Sequence, residues 1–382
     1  MKNERTAETP GFGSDLLTKR QGAVVLAPAQ VAHLQQTLLQ WYGACQRDLP
    51  WRRTRDPYAI WVSEIMLQQT RVETVIPYYE RFLMRFPTAV ALAEAPSDDV
   101  LAAWSGLGYY RRARLLLAGA QAVATQGGAL PADRAGLLTV PGIGRYTAGA
   151  IASIAFGQPV GLVDGNVARV FARLFAIEAD MRKAGMRTAE VLADELVAKE
   201  DPGAWNQALM ELGATICTPR SPACDACPLA SQCRAFAEGR VAELPNLSEK
   251  KAPVARRVQA IVATRAKDGA ILLARRQQGK GTFAGLWEPP SIEGPARMRA
   301  RLAAWLPIGR LRRVGVVEHV LSHRKLTVDV LRADLVGSLA RADIPPNAGY
   351  DDVRVVHEAR FDDLGFSTLA RKIVAAARPA KT

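Results

Sequence analysis

Four of the five cysteines fall between Cys217 and Cys233, in the pattern C-x6-C-x2-C-x5-C. Four thiolates so close in sequence can close a tetrahedral zinc site or hold a cubane iron–sulfur cluster, and spacing alone does not choose between them. A disulfide framework is the poorer reading, because no export signal precedes it. The apolar stretch 23–29, after Lys19 and Arg20, is broken by Pro28 and runs into a helical pattern, unlike a signal peptide. Clustered ligating cysteines imply a reducing compartment, most simply the cytoplasm.

The texture around this cluster is helical. Val31, Leu34, Leu38, Trp41 and Tyr42 recur at helix spacing, and similar patterns continue to about residue 236 with no strand signal. Residues 237–255, rich in Glu, Lys and Pro, read as a linker. Beyond it, apolar runs at 259–265 and 270–274 flank Lys267-Asp268-Gly269, a hairpin signal. Further strands are expected at 314–317 and 326–331, with helices near 296–305 and 368–377. The expectation is a disordered tail over 1–28, a mainly α region over 29–236, and a small α+β domain over 256–378. Two domains suit a chain of 382 residues. The net charge of +13 favours a polyanionic partner, nucleic acid ahead of a membrane surface. No apolar run approaches the roughly 18 residues of a membrane span.

Three further motifs carry chemistry. Pro141-Gly142-Ile143-Gly144-Arg145-Tyr146 makes a tight turn entering a helix. Its glycines open backbone N–H groups to a phosphate at a helix start, although an ordinary helix–turn–helix joint has the same pattern. In Val163-Asp164-Gly165-Asn166, Asp164 serves equally well as a helix N-cap or as a catalytic carboxylate, and Asn166 as a turn residue. Glu64 lies among Trp61, Ile65, Met66 and Leu67. If buried, its raised pKa suits a general acid; if the helix phase differs, it is a solvated surface residue.

These signals, in this order, resemble the helix-hairpin-helix glycosylases that carry an iron–sulfur cluster, and most closely the adenine DNA glycosylase (MutY) family. The blocks Leu49-Pro50-Trp51-Arg52 through Gln69, and Gly106-Leu107-Gly108-Tyr109-Tyr110, match that family in particular. The resemblance implies a [4Fe–4S] cluster on Cys217, Cys224, Cys227 and Cys233. It also implies a six-helix module over 48–149, a cluster module from 29–47 with 150–236, and an active site in the cleft between them. The α+β region is similar to a Nudix-like lesion-recognition domain, with Phe283-Ala284-Gly285-Leu286-Trp287-Glu288 as its early segment. Leu321-Ser322-His323 stands where the family has Phe-Ser-His. An acidic hydrolase box is missing after Trp287, so nucleotide hydrolysis is not expected.

The resemblance further implies duplex DNA with an adenine:8-oxoguanine or adenine:guanine mispair as substrate, and a monomeric enzyme with no membrane partner. Glu64 would protonate the extruded adenine. Asp164 would stabilise the cationic sugar by charge or transient attachment, with Tyr146 and Asn166 orienting the groups. Arg47, Trp51, Arg52 and Gln207 would line the base pocket, and Leu67, Gln68, Gln69 and Tyr109 would fill the stack. Ser322 and His323 would read the opposite base, while Gly142, Gly144 and Arg145 would hold phosphate. Endonuclease III, the nearest relative to separate, has a lysine nucleophile where this chain has Tyr146, so a monofunctional glycosylase is expected. The alternatives are a bifunctional base-excision lyase and a catalytically silent DNA-binding or redox-sensing iron–sulfur protein.

Overall fold

The computed structural model describes residues 26–249, 252–279 and 281–378. Most of the tail expected over 1–28 lies outside the described residues. The helices before the sheet are α1 (Pro28–Cys45), α2 (Pro57–Leu67), α3 (Val72–Arg85), α4 (Ala89–Glu94), α5 (Ser97–Ala103) and α6 (Arg111–Thr125). They continue as α7 (Arg134–Leu137), α8 (Arg145–Ile154), α9 (Gly165–Leu174), α10 (Ala184–Leu196), α11 (Pro202–Thr215) and α12 (Arg234–Ala237). Then follow strands β1 (Val254–Arg265), β2 (Ile271–Arg276), β3 (Trp287–Glu288) and β4 (Ser291–Glu293), and helix α13 (Met298–Ala303). The chain ends with β5 (Arg312–Val320), β6 (Arg324–Leu335), β7 (Tyr350–Val356) and α14 (Thr368–Ala376).

Two compact units result. One takes the described residues up to Gln68 with Ala129–Glu249; the other takes Gln69–Gly128 with the described residues from 252 onward. The expected module over 48–149 is therefore divided: α2 and α8 belong to the first unit, and α3 to α6 to the second. Glu64 and Asp164, expected from opposite modules, belong to one unit.

In the first unit α2 begins where Asp56 accepts a hydrogen bond from Tyr58 N and Pro57 fills the first turn. Every residue from Tyr58 to Met66 is buried, the behaviour of a helix apolar on all sides. Helix α9 starts at Asp164, whose Oδ1 accepts from Asn166 N at 2.9 Å and Val167 N at 2.7 Å. Helix α11 crosses this start at Gly213, where a Cβ would lie 2.6 Å from the Cβ of Asn166. Part of the expected linker is built into this unit: Arg173 Nε donates to the carbonyls of Val241 and Leu244 at 3.1 and 2.9 Å.

The second unit carries a mixed sheet in the order β3-β2-β1-β6-β5, with β1 parallel to β6; β4 pairs with β1 and β7 with β2. Strand β1 is buried on both faces. Val258, Ala260 and Val262 pack toward Leu369 and Ile373 of α14, whereas Ile261 and Ala263 share a core with Leu302 of α13. That two-sided burial explains the unbroken apolar run read from the sequence. The grouping of α3 to α6 with this sheet rests on specific bonds. Arg275 bridges Asp98 of α5 and Asp351, and Ser105 Oγ and Tyr110 OH both donate to the carbonyl of Phe366, at 2.9 and 3.0 Å.

Candidate active site

Glu64 is 4% exposed on α2 and accepts a 2.5 Å hydrogen bond from the hydroxyl of Tyr146 on α8. Burial pushes its pKa up to about 7; the Tyr146 bond and the Arg52 charge oppose the shift, while the Asp164 charge adds to it. Burial also raises Tyr146 well above the ordinary phenol range, so it remains a donor. Met210 Sδ of α11 lies 3.3 Å from the same hydroxyl.

Asp164 differs in its partners. Beyond its two backbone donors, Oδ2 accepts from Asn166 Nδ2 at 3.0 Å. Burial raises its pKa, against the pull of those donors and of Arg169. Burial thus raises both carboxyls, but they differ in the groups that oppose it: Glu64 has one hydroxyl donor, whereas Asp164 has two backbone N–H groups and the Asn166 amide, which favour its anion. The capping and catalytic readings of Asp164 are compatible, since capping leaves the charge in place.

Arg52 and Gln207 line one polar cavity of about 210 Å³ with Tyr42, Gln46, Thr54 and Arg55. Trp51 is buried in the 3-10 turn Pro50–Arg52. Arg47 Nε and Arg52 Nη2 both donate to Glu211 of α11, each at 2.7 Å. Glu211 was not singled out from the sequence. Its signal was a glutamate on an apolar helix, four residues after Gln207, the same kind of signal that marked Glu64.

Gly142 adopts φ 84°, and Gly144 is the N-cap of α8 with open space where a side chain would stand. Arg145 is exposed and lies 3.6 Å from Glu190. Gln68 follows the end of α2 and donates to Thr147 Oγ1 at 3.4 Å. Leu67 is half-buried, and Gln69 is exposed with φ 59°. In the second unit Tyr109, 49% exposed with φ 48°, brings its hydroxyl within 3.3 Å of Ser322 Oγ. Arg112 lies over the Tyr109 ring at 5.5 Å. Ser322 and His323 are both exposed, and Leu321 packs half-buried against the β-domain core.

The four clustered cysteines line one recess with Ile216, Pro222, Ala230, Phe236, Val241 and Arg173, whose Nη1 lies 3.4 Å from Cys217 Sγ. Among the described residues no three His, Cys, Asp or Glu side chains converge on a point suited to a single metal ion. Four thiols ringing one apolar recess are the donor set that a cubane iron–sulfur cluster would use. Burial raises the Cys227 thiol to about 12, so metal has to displace its proton. Arg169 and Arg173 were also missed from the sequence. Both are buried on α9, and Arg169 Nε donates to the Cys217 carbonyl at 2.7 Å.

Three families of known proteins match successive parts of the chain. Residues 62–194 match the helix-hairpin-helix superfamily of base excision DNA repair proteins. Residues 217–233 match the iron–sulfur binding domain of endonuclease III, and 260–376 match the Nudix domain. The human adenine DNA glycosylase is 37% identical over 96% of this chain and 80% of its own length. That of Rattus norvegicus is 38% identical over 90% and 78%. A thermostable thymine-DNA glycosylase structure superposes with a TM-score of 0.51 and 30% identity, over 55% of this chain and 98% of that one. Among the described residues no helix is long and apolar enough to cross a membrane. With relatives 37–38% identical over at least 90% of the chain and an iron–sulfur domain match that spans the four cysteines, this chain belongs to the adenine DNA glycosylase family and carries that family's iron–sulfur module.

Proposed function

We propose that this protein hydrolyses the N-glycosidic bond of adenine mispaired with 8-oxoguanine or guanine in duplex DNA, leaving the strand intact. The observation that carries this reading is the pairing of a buried, protonatable Glu64, held by Tyr146, with an Asp164 whose donors favour its anion. An extruded adenine beside Arg47, Trp51, Arg52 and Gln207 takes a proton from Glu64 and becomes a leaving group. Positive charge then develops on the sugar and is met by Asp164, with Asn166 fixing that carboxylate. The hairpin backbone at Gly142 and Gly144, with Arg145, holds a phosphate. Leu67, Gln68, Gln69 and Tyr109 fill the space left in the stack. We assign the enzyme to a reducing compartment, most simply the cytoplasm, acting as a monomer. We divide the chain into a glycosylase region over 29–236, a linker over 237–255 and a lesion-reading domain over 256–378. Single-turnover excision assayed across adenine opposite each normal base and 8-oxoguanine tests the substrate. Equal rates on every pair, or removal of another base, overturn it.

Tyr146 supplies a sharper test of strand integrity. A lysine there puts an amine near the sugar carbon, so Tyr146→Lys should gain Schiff-base formation and strand cutting, while the wild type shows neither. Borohydride trapping reads both. Efficient trapping by the wild type overturns the monofunctional reading.

Ser322 and His323 support reading of the opposite base, since both are exposed and Ser322 shares its hydroxyl contact with Tyr109. Replacing both by Ala should reduce the preference for 8-oxoguanine over guanine opposite adenine by about 1–3 kcal/mol, the scale of one base-reading contact. Unchanged discrimination would move lesion reading elsewhere in the chain.

A further inference from the structure

We infer that Glu211 is a positioning residue for base excision: it holds Arg47 and Arg52 in one rigid frame at the base pocket and screens the Arg52 charge from Glu64. The inference rests on the reading of Glu64 as the general acid. Glu211 is 1% exposed on α11, one turn after Gln207. Its carboxylate accepts from Arg47 Nε at 2.7 Å, Arg47 Nη2 at 2.8 Å and Arg52 Nη2 at 2.7 Å. Arg52 Nη1 donates in turn to the Arg47 carbonyl at 3.0 Å, and its guanidinium lies over the Tyr42 ring at 5.4 Å. Arg52 is therefore fixed on three sides, and Arg47 is held by two nitrogens of its guanidinium in the fork geometry that resists rotation.

The frame matters because of where Arg52 stands. The groups facing Glu64 are Tyr146 from α8, Asp164 from the start of α9, and Arg52 from the Pro50–Arg52 turn. Those facing Glu211 are Arg47, Arg52 and, from α1, Tyr42 and Cys45. Burial works against the Glu211 charge, but the two arginines prevail and hold the carboxyl down at about 2, so it is an anion at any working pH. Arg52 pulls Glu64 toward ionisation. A permanent anion on the same guanidinium weakens that pull, so that Glu64 retains its proton near neutrality. A buried triad of this kind is a poor source of net stability; its effect is on the neighbours it orients and neutralises.

The test is the pH dependence of single-turnover excision by the full-length protein on an adenine:guanine duplex. In the wild type the rate falls with rising pH as Glu64 loses its proton. Glu211→Gln should move that fall to lower pH by about one unit, the low end for a neighbouring charge. Arg52→Gln should move it the opposite way. Glu211→Asp, which keeps the charge, should leave the position of the fall in place while lowering the rate. A packing defect alone lowers the rate at every pH without moving the fall. If Glu211→Gln does not fold, the rise in pH expected of the fall in Arg52→Gln, against the unmoved fall expected of Glu211→Asp, still decides. The protonated Glu64 carbonyl band, recognised in isotope-edited infrared spectra by its loss in Glu64→Gln, gives the same titration without catalysis. A Glu64→Gln protein active at the wild-type rate ends the general-acid reading alone. An unshifted Glu64 band in Glu211→Gln, or an equal shift in Glu211→Asp, overturns the role of Glu211.

Discussion

Glu64→Gln and Asp164→Asn should each slow single-turnover excision by at least about a hundredfold, the lower range for losing one preorganised catalytic group. Glutamine keeps the shape of the side chain and can still accept from Tyr146, but has no acidic proton to give. Asparagine keeps one cap acceptor for the N–H groups of Asn166 and Val167, but carries no charge to meet the sugar cation. Binding to the mispaired duplex should change little, because affinity resides mainly in phosphate contacts. Gel-shift binding and excision rates, measured on the same preparations, separate the two effects. The pH dependence has a definite sign. The acid form of Glu64 is full below its pKa of about 7 and drains away above it, so the wild-type rate should decline on the alkaline side. Near wild-type excision by either variant would remove that residue from the catalytic set.

The other large effect expected is on the cysteine recess. Purified protein should be yellow-brown, with about four irons per chain as a four-cysteine cubane requires. Cys224→Ser should lose most of that iron and open residues 216–234 to hydrogen exchange. The segment has little else to hold it. Its regular structure between the outer cysteines is two short 3-10 turns, Cys224–Ala226 and Ala230–Gln232, and Leu229 is its one apolar side chain among the buried core residues. Where side chains supply so small a core, ligand bonds supply the folding free energy. Iron content, visible absorption and local exchange follow the loss together. Stoichiometric zinc in protein made anaerobically with ample iron would overturn the cluster.

The cluster and the two carboxyls were legible in the sequence because each left a local mark. Four cysteines at short intervals, an acid inside an apolar helix and an aspartate before a helix start need no tertiary knowledge to notice. Strands β1, β2, β5 and β6 were visible as apolar runs. Strand β7 was not, since Asp351, Asp352 and Arg354 interrupt its pattern; two of the three answer charges on other elements, Asp351 paired with Arg275 and Arg354 lying near Asp98. Strands β3 and β4 are too short to show a period. Glu211, Arg169 and Arg173 were missed for a related reason. A buried charge is defined by its partner, and theirs stand far off in sequence, Glu211 with Arg47 and Arg169 with the carbonyls of Gly213 and Cys217. The division of the helical region likewise follows long-range bonds, such as those from Ser105 and Tyr110 to Phe366.

One helix gathers these separate threads. Along α11 and its exit, Gln207 lines the polar cavity, Met210 touches the Tyr146 hydroxyl, Glu211 clasps two arginines, Gly213 lies against Asn166, and Cys217 lines the cysteine recess. Because one rigid helix carries all five residues, any change in its seating would shift them together, as a camshaft shifts its followers. The bare face at Gly213 is its bearing, since any side chain there collides with Asn166 and has to turn or lift the rod. Gly213→Ala should therefore not damage one function in isolation. Base selection, proton delivery and the setting of Asp164 should drift out of time together, in a protein that still folds.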